Sequence, residues 1–130
     1  MAVLLVDAAN VVGARPDGWW RDRAGATSRL LRRLTPLAGT ELPAPGGGRV
    51  GCEEVVAVVE GAARAVEAPD GVTLVRADGS GDDALAACAT RLTAEGRELL
   101  VVTADRGLRA RLPESAAVTG PGWLYDVLPA

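Results

Sequence analysis

Five short aliphatic runs constrain this chain more than any other feature: Val3 to Val6, Val55 to Val59, Val72 to Val75, Leu99 to Val102 and, more weakly, Ala116 to Val118. They are near-continuous rather than alternating, as strands buried on both faces are, and helical spacing fills the intervals between them. A mainly parallel sheet with helices on its faces follows, an α/β class. The 130 residues suffice for one core and no shift in composition marks a second, so one domain over 1–130 is expected. Asp17 is expected to cap a first helix that carries Trp20, Ala24, Thr27, Leu31 and Leu34 on its apolar face and ends before Pro36. The Pro/Gly-rich stretch 36–51 reads as a mobile loop within the domain. Further helices are expected over Ala62 to Glu67, Gly81 to Glu95, Arg106 to Leu112 and Pro121 to Leu128.

Composition then removes whole classes of chemistry. The chain has no histidine and only two cysteines, Cys52 and Cys88, so a Cys/His zinc site, a Ser-His or Cys-His nucleophile and a disulfide framework are all excluded. No apolar run is long enough to span a bilayer, and no basic segment precedes Val3, so a cytoplasmic location is the expectation. Every basic residue is arginine and the net charge is -3, which does not favour strong non-specific binding to nucleic acid; local clusters such as Arg29/Arg32/Arg33 still supply positive patches.

The acids are placed more tellingly than the bases. Asp7 follows the first apolar run directly, Asp105 follows the fourth after Thr103 and Ala104, and Asp82 and Asp83 open the third helix after Ser80. Each lies at the carboxyl end of a strand or at the helix start beyond it, the edge where open parallel sheets bind ligands. Carboxylates gathered there repel one another, and a divalent cation relieves the repulsion; all-oxygen ligation suits magnesium or manganese. Such a site activates water without histidine, with Asn10, Thr103 or Arg106 positioning a scissile phosphate. Taken singly, Asp82, Asp83 and Asp105 also suit helix caps and first turns. Trp20 reads as core. Trp19, beside Arg15, Arg21 and Arg23, suits either stacking on an unpaired base or packing. Arg106 and Arg109 are candidates for phosphate contact, and Trp123 and Tyr125 for packing. Three other readings fare worse. Gly79-Ser80-Gly81-Asp82-Asp83-Ala84 fits a dinucleotide-binding pattern but sets two carboxylates where a pyrophosphate would lie; a phosphoacceptor receiver lacks its lysine; and a haloacid-type phosphatase lacks a second aspartate, since Ala9 stands there.

Asp7-Ala8-Ala9-Asn10-Val11-Val12-Gly13, Gly81-Asp82-Asp83-Ala84 and Val102-Thr103-Ala104-Asp105-Arg106 stand in the order found in PIN-like nucleases, and the chain resembles the NYN domain, YacP-like group over nearly its whole length. Arg15 to Asp22, Val59-Glu60-Gly61 and Gly120 to Leu124 are similar to its actinobacterial branch. The resemblance implies a three-layer α/β/α PIN-like fold with a five-stranded sheet in the order 3-2-1-4-5. It further implies a magnesium or manganese ion on Asp7, Asp83 and Asp105 with Asp82 beside them, support from Asn10 and Thr103, and endonucleolytic cleavage of RNA. The expected partner is single-stranded RNA, including messenger RNA or the ribosome, held by Arg15, Trp19, Arg21, Arg106 and Arg109. A non-catalytic RNA-binding or ribosome-associated module is the alternative, and four acids near a phosphate argue against it unless a cation is present.

Overall fold

The computed structural model describes residues 1–129. Its centre is β1 (Ala2–Asp7), in which every residue is buried. β1 lies parallel between β3 (Arg49–Val59) and β5 (Glu98–Val102). β4 (Val72–Arg76) adds to β3 and β6 (Ala117–Thr119) adds to β5, both parallel. The five strands expected from the aliphatic runs thus stand in the expected order 3-2-1-4-5 of their succession along the chain. A sixth strand has no aliphatic run to mark it: β2 (Glu41–Pro43) pairs antiparallel with the first residues of β3, so the stretch expected to be a loop is largely a hairpin turning at residues 44–48.

Side chains alternate across β1 and define two cores. Ala2, Leu4 and Val6 face α1 (Ala8–Gly13), α2 (Arg23–Leu34) and α5 (Pro121–Val127), where Val11, Leu31, Leu34 and Leu124 are fully buried. Val3 and Leu5 face α3 (Gly81–Ala94) and α4 (Arg106–Arg109), which contribute Leu85, Ala89, Leu92 and Leu108. Each such leucine stabilises the fold by about 1.5–3 kcal/mol. Among the described residues no helix is long and apolar enough to cross a membrane.

Three helical expectations need correction. α2 is capped by Asp22, not Asp17: Gly18 takes a left-handed φ of 85° before a single 3₁₀ turn (Trp19–Arg21), and Asp22 leaves the helical conformation, its Oδ1 accepting the Gly25 N–H at 2.9 Å. Trp20, expected in the core, is 53% exposed, while Trp19 packs against the core instead. In place of a helix over Ala62 to Glu67 there is only a 3₁₀ turn at Gly61–Ala63, and the Arg76 guanidinium donates to the carbonyls of Arg64 and Val66 at 2.5 and 2.7 Å, holding the segment that follows against β4. α3 and α5 fall where the pattern placed them, and α4 is shorter, stopping before Pro113.

Candidate active site

Four chain segments bring acids to the carboxyl edge of the sheet. Asp7 ends β1 and caps α1; it is buried, and its two oxygens are both engaged. Oδ2 accepts the Thr103 hydroxyl at 2.9 Å, and Oδ1 accepts the Asn10 N–H at 3.4 Å. Thr103, wholly buried beyond β5, in turn accepts the Asp105 N–H on its own Oγ1 at 3.2 Å. Asn10 Oδ1 accepts the Ala104 N–H at 2.8 Å, a second tie between segments 94 residues apart. Asp105 caps α4 through Oδ1, which accepts the Leu108 N–H at 3.0 Å; its other oxygen makes no hydrogen bond to the described chain.

The adjacent acids of α3 part company. Ser80 caps the helix, its Oγ accepting the N–H groups of Asp82 and Asp83 at 3.1 and 3.4 Å. Asp83 points outward and accepts Arg111 at 2.8 Å in an exposed ion pair. Asp82 is the less exposed of the two: partial burial raises its pKa first, then the charges of Asp105 and Glu60, with Arg111 acting in the opposite sense. Asp7 is also raised, mainly by burial, partly offset by the Thr103 and Asn10 hydrogen bonds, and raised again by Asp82 and Glu60. Glu60 thus bears on both Asp7 and Asp82, and Asp105 on Asp82, along the same edge.

Glu60 is the member that sequence reasoning missed. It follows the apolar run of β3 as Asp7 follows that of β1, so the same signal would have found it. Its Oε2 accepts the Gly81 N–H at 2.6 Å at the start of α3, where a carboxylate complements the helix dipole. Glycine leaves room for this contact, since a Cβ would sit 2.7 Å from Glu60 Cδ and displace the carboxylate. Beside Glu60 opens a cavity of about 350 Å³ walled by Ala8, Ala9, Val12, Trp19 and Arg23. The Arg23 guanidinium lies 5.4 Å from the Trp19 ring centre.

The remaining candidates lie around this edge. Arg106 and Arg109 are exposed on α4. Arg21 is drawn over Trp20 and Arg15 over Tyr125, 5.8 and 3.9 Å from the ring centres, so neither joins Trp19 in its cavity. Donor chemistry at the edge suits a hard divalent cation, four carboxylates and no nitrogen or sulfur. Among the described residues, however, no three of these groups are arranged to enclose an ion as they stand.

A parallel sheet in this order, layered between helices and carrying acids at its carboxyl edge, has the architecture of a PIN-like α/β domain. In particular the fold is shared with solved structures of Rae1 (YacP) from Bacillus subtilis: one, with a TM-score of 0.64 at 18% identity, matches 97% of this chain and 72% of that one. Its tryptophan-to-leucine mutant matches with a TM-score of 0.67 at 20% identity, over 97% of this chain and 74% of that one. No protein-family model and no curated protein matches the sequence.

Proposed function

We propose that this chain is a divalent-metal-dependent endoribonuclease of the YacP-like kind, hydrolysing phosphodiesters of single-stranded RNA. The observation that carries this reading is the placement of Asp7, Glu60, Asp82 and Asp105 along one sheet edge, with Asp7 buried and its pKa raised chiefly by that burial. The resemblance of the motifs to the YacP-like group, and a fold shared with solved YacP structures, support it.

In this reading Asp7, Asp82 and Asp105 hold magnesium or manganese, and Asp82 is preferred to Asp83 because Asp83 is engaged by Arg111. The ion, when bound, supplies activation of water and neutralisation of phosphate charge. Thr103 fixes the Asp7 carboxylate and the Asp105 backbone through one hydroxyl, and Asn10 holds the Ala104 turn, so that the acids from β1 and β5 keep their spacing. Arg106 and Arg109 face solvent on α4, where they meet a phosphate. Trp19, in a cavity of about 350 Å³ next to Glu60, offers an aromatic wall for one unpaired base, with Arg23 in the same wall.

The test is incubation of unpaired RNA and of DNA with the purified protein and manganese, magnesium or EDTA, beside Asp7→Asn and Asp105→Asn. RNA is expected to be cut internally only with a divalent ion, with both variants slower by on the order of a hundredfold or more. Wild type and variants that leave RNA equally intact while still binding it would replace the nuclease with the binding module.

A further inference from the structure

Six of the fourteen arginines lie between Arg15 and Arg33, opposed there only by Asp17 and Asp22, in a chain of net charge -3. The fold concentrates three of them. Arg29 and Arg33, four residues apart on one face of α2, line with Arg15 a cavity of about 210 Å³ whose wall includes Tyr125 and Asp17. Among the described residues none of these three arginines forms an ion pair, whereas Arg64, Arg91, Arg97 and Arg111 each do.

Tyr125 organises the cluster. Its hydroxyl donates to the Val11 carbonyl at 2.9 Å, which fixes the ring against α1. The Arg15 guanidinium stacks 3.9 Å above the ring centre, and that of Arg33 lies 5.9 Å away. A guanidinium held by its face on an aromatic ring keeps its in-plane N–H donors free and loses little further freedom when an anion arrives. Three positive charges facing one cavity with a single carboxylate repel each other until an anion enters, and an oxyanion that accepts a bidentate fork suits them best. Val12 walls both this cavity and the one holding Trp19, so the basic pocket adjoins the acid edge along α1.

We propose that Arg15, Arg29 and Arg33, over Tyr125, form a phosphodiester-binding site that anchors the backbone of single-stranded RNA to one side of the Asp7 and Asp105 edge. The identity of the polyanion rests on the RNA reading above. The site deepens that reading: the substrate is an unpaired stretch of several nucleotides, running from the acids past Trp19 onto α2, rather than a free nucleotide.

Binding of a short labelled oligouridylate, followed by fluorescence anisotropy in EDTA over a range of sodium chloride concentrations, separates this site from the chemistry. The double variant Arg29→Ala/Arg33→Ala and the single Arg15→Ala, with folding checked by circular dichroism, are compared with wild type and with Arg91→Ala as a remote control. The double variant is expected to bind about tenfold more weakly, with a salt slope lower by about 0.7 for each phosphate it no longer neutralises, and the control to match wild type. Equal affinity and equal slope in all four proteins overturn the proposal. So does polyaspartate that competes as well as RNA, which would assign the pocket to an acidic protein. If the arginine variants lose binding while wild type never cuts RNA, this site stands and the nuclease reading falls; if wild type cuts RNA and the variants bind unchanged, the reverse holds.

Discussion

Asp7 is a carboxylate set where the interior favours a neutral group, and its consequences can be measured with no cation present. Burial raises its folded pKa above the ordinary value of 3.8, and Asp82 is raised as well. Well below that value both folded and unfolded chains are protonated, and neither acid affects stability. As pH rises the unfolded chain ionises first, so the folded state loses stability until its own carboxyls ionise in turn. Asp7→Asn is therefore expected to melt a few degrees above wild type in EDTA at neutral pH, with the gap closing in acid, while cleavage is lost; calorimetry across pH, with a cleavage assay alongside, checks both parts. Thr103→Val, nearly isosteric, strips a buried donor from Asp7 and an acceptor from the Asp105 N–H at once. It should cost about 1–3 kcal/mol in urea denaturation and slow cleavage as well. Asp7 and Asp105 were legible because each closely follows an apolar run. Which of Asp82 and Asp83 is taken up by Arg111 was not, since neighbours on a helix differ by about 100° and the choice depends on an arginine 28 residues away in the chain.

Among the elements, strands were easier to read than helices. Four or five consecutive β-branched or leucine residues leave little choice, whereas α1 has six residues, too few for a helical period to emerge, and β2 has three. The cap of α2 was misplaced because Asp17 and Asp22 carry the same signal, and only the turn at Gly18 chooses between them. Asp22→Ala should accordingly cost about 1 kcal/mol, measured by chemical denaturation, and Asp17→Ala a few tenths at most. At the other face, Gly81→Ala forces the Glu60 carboxylate away from the α3 N-terminus, since the added methyl occupies its place. The Glu60 side chain is flexible, so the fold should survive, with stability falling by about 0.3–1 kcal/mol and RNA cleavage impaired more than the melting temperature suggests.

Across the whole molecule the sheet separates two cores of similar kind, and every acid of the candidate site sits at the rim where they meet. Native-state hydrogen exchange should find the slowest amides in β1 and the facing half of β3, and fast exchange in β2 and β6, which hold three residues each at the borders of the sheet. The general architecture was legible because burial on both faces leaves so plain a mark on sequence; the cavities were not, since they arise where α1 and α2 meet segments distant in the chain, the end of β3 in one case and α5 in the other. The hydroxyl of Thr103 reaching Asp7 spans 96 residues of chain. A growing polypeptide that has not yet completed β5 leaves one border of β1 bare and Asp7 without its clasp. On the proposed reading, cleavage would then have to wait until β5 has been made and has paired with β1.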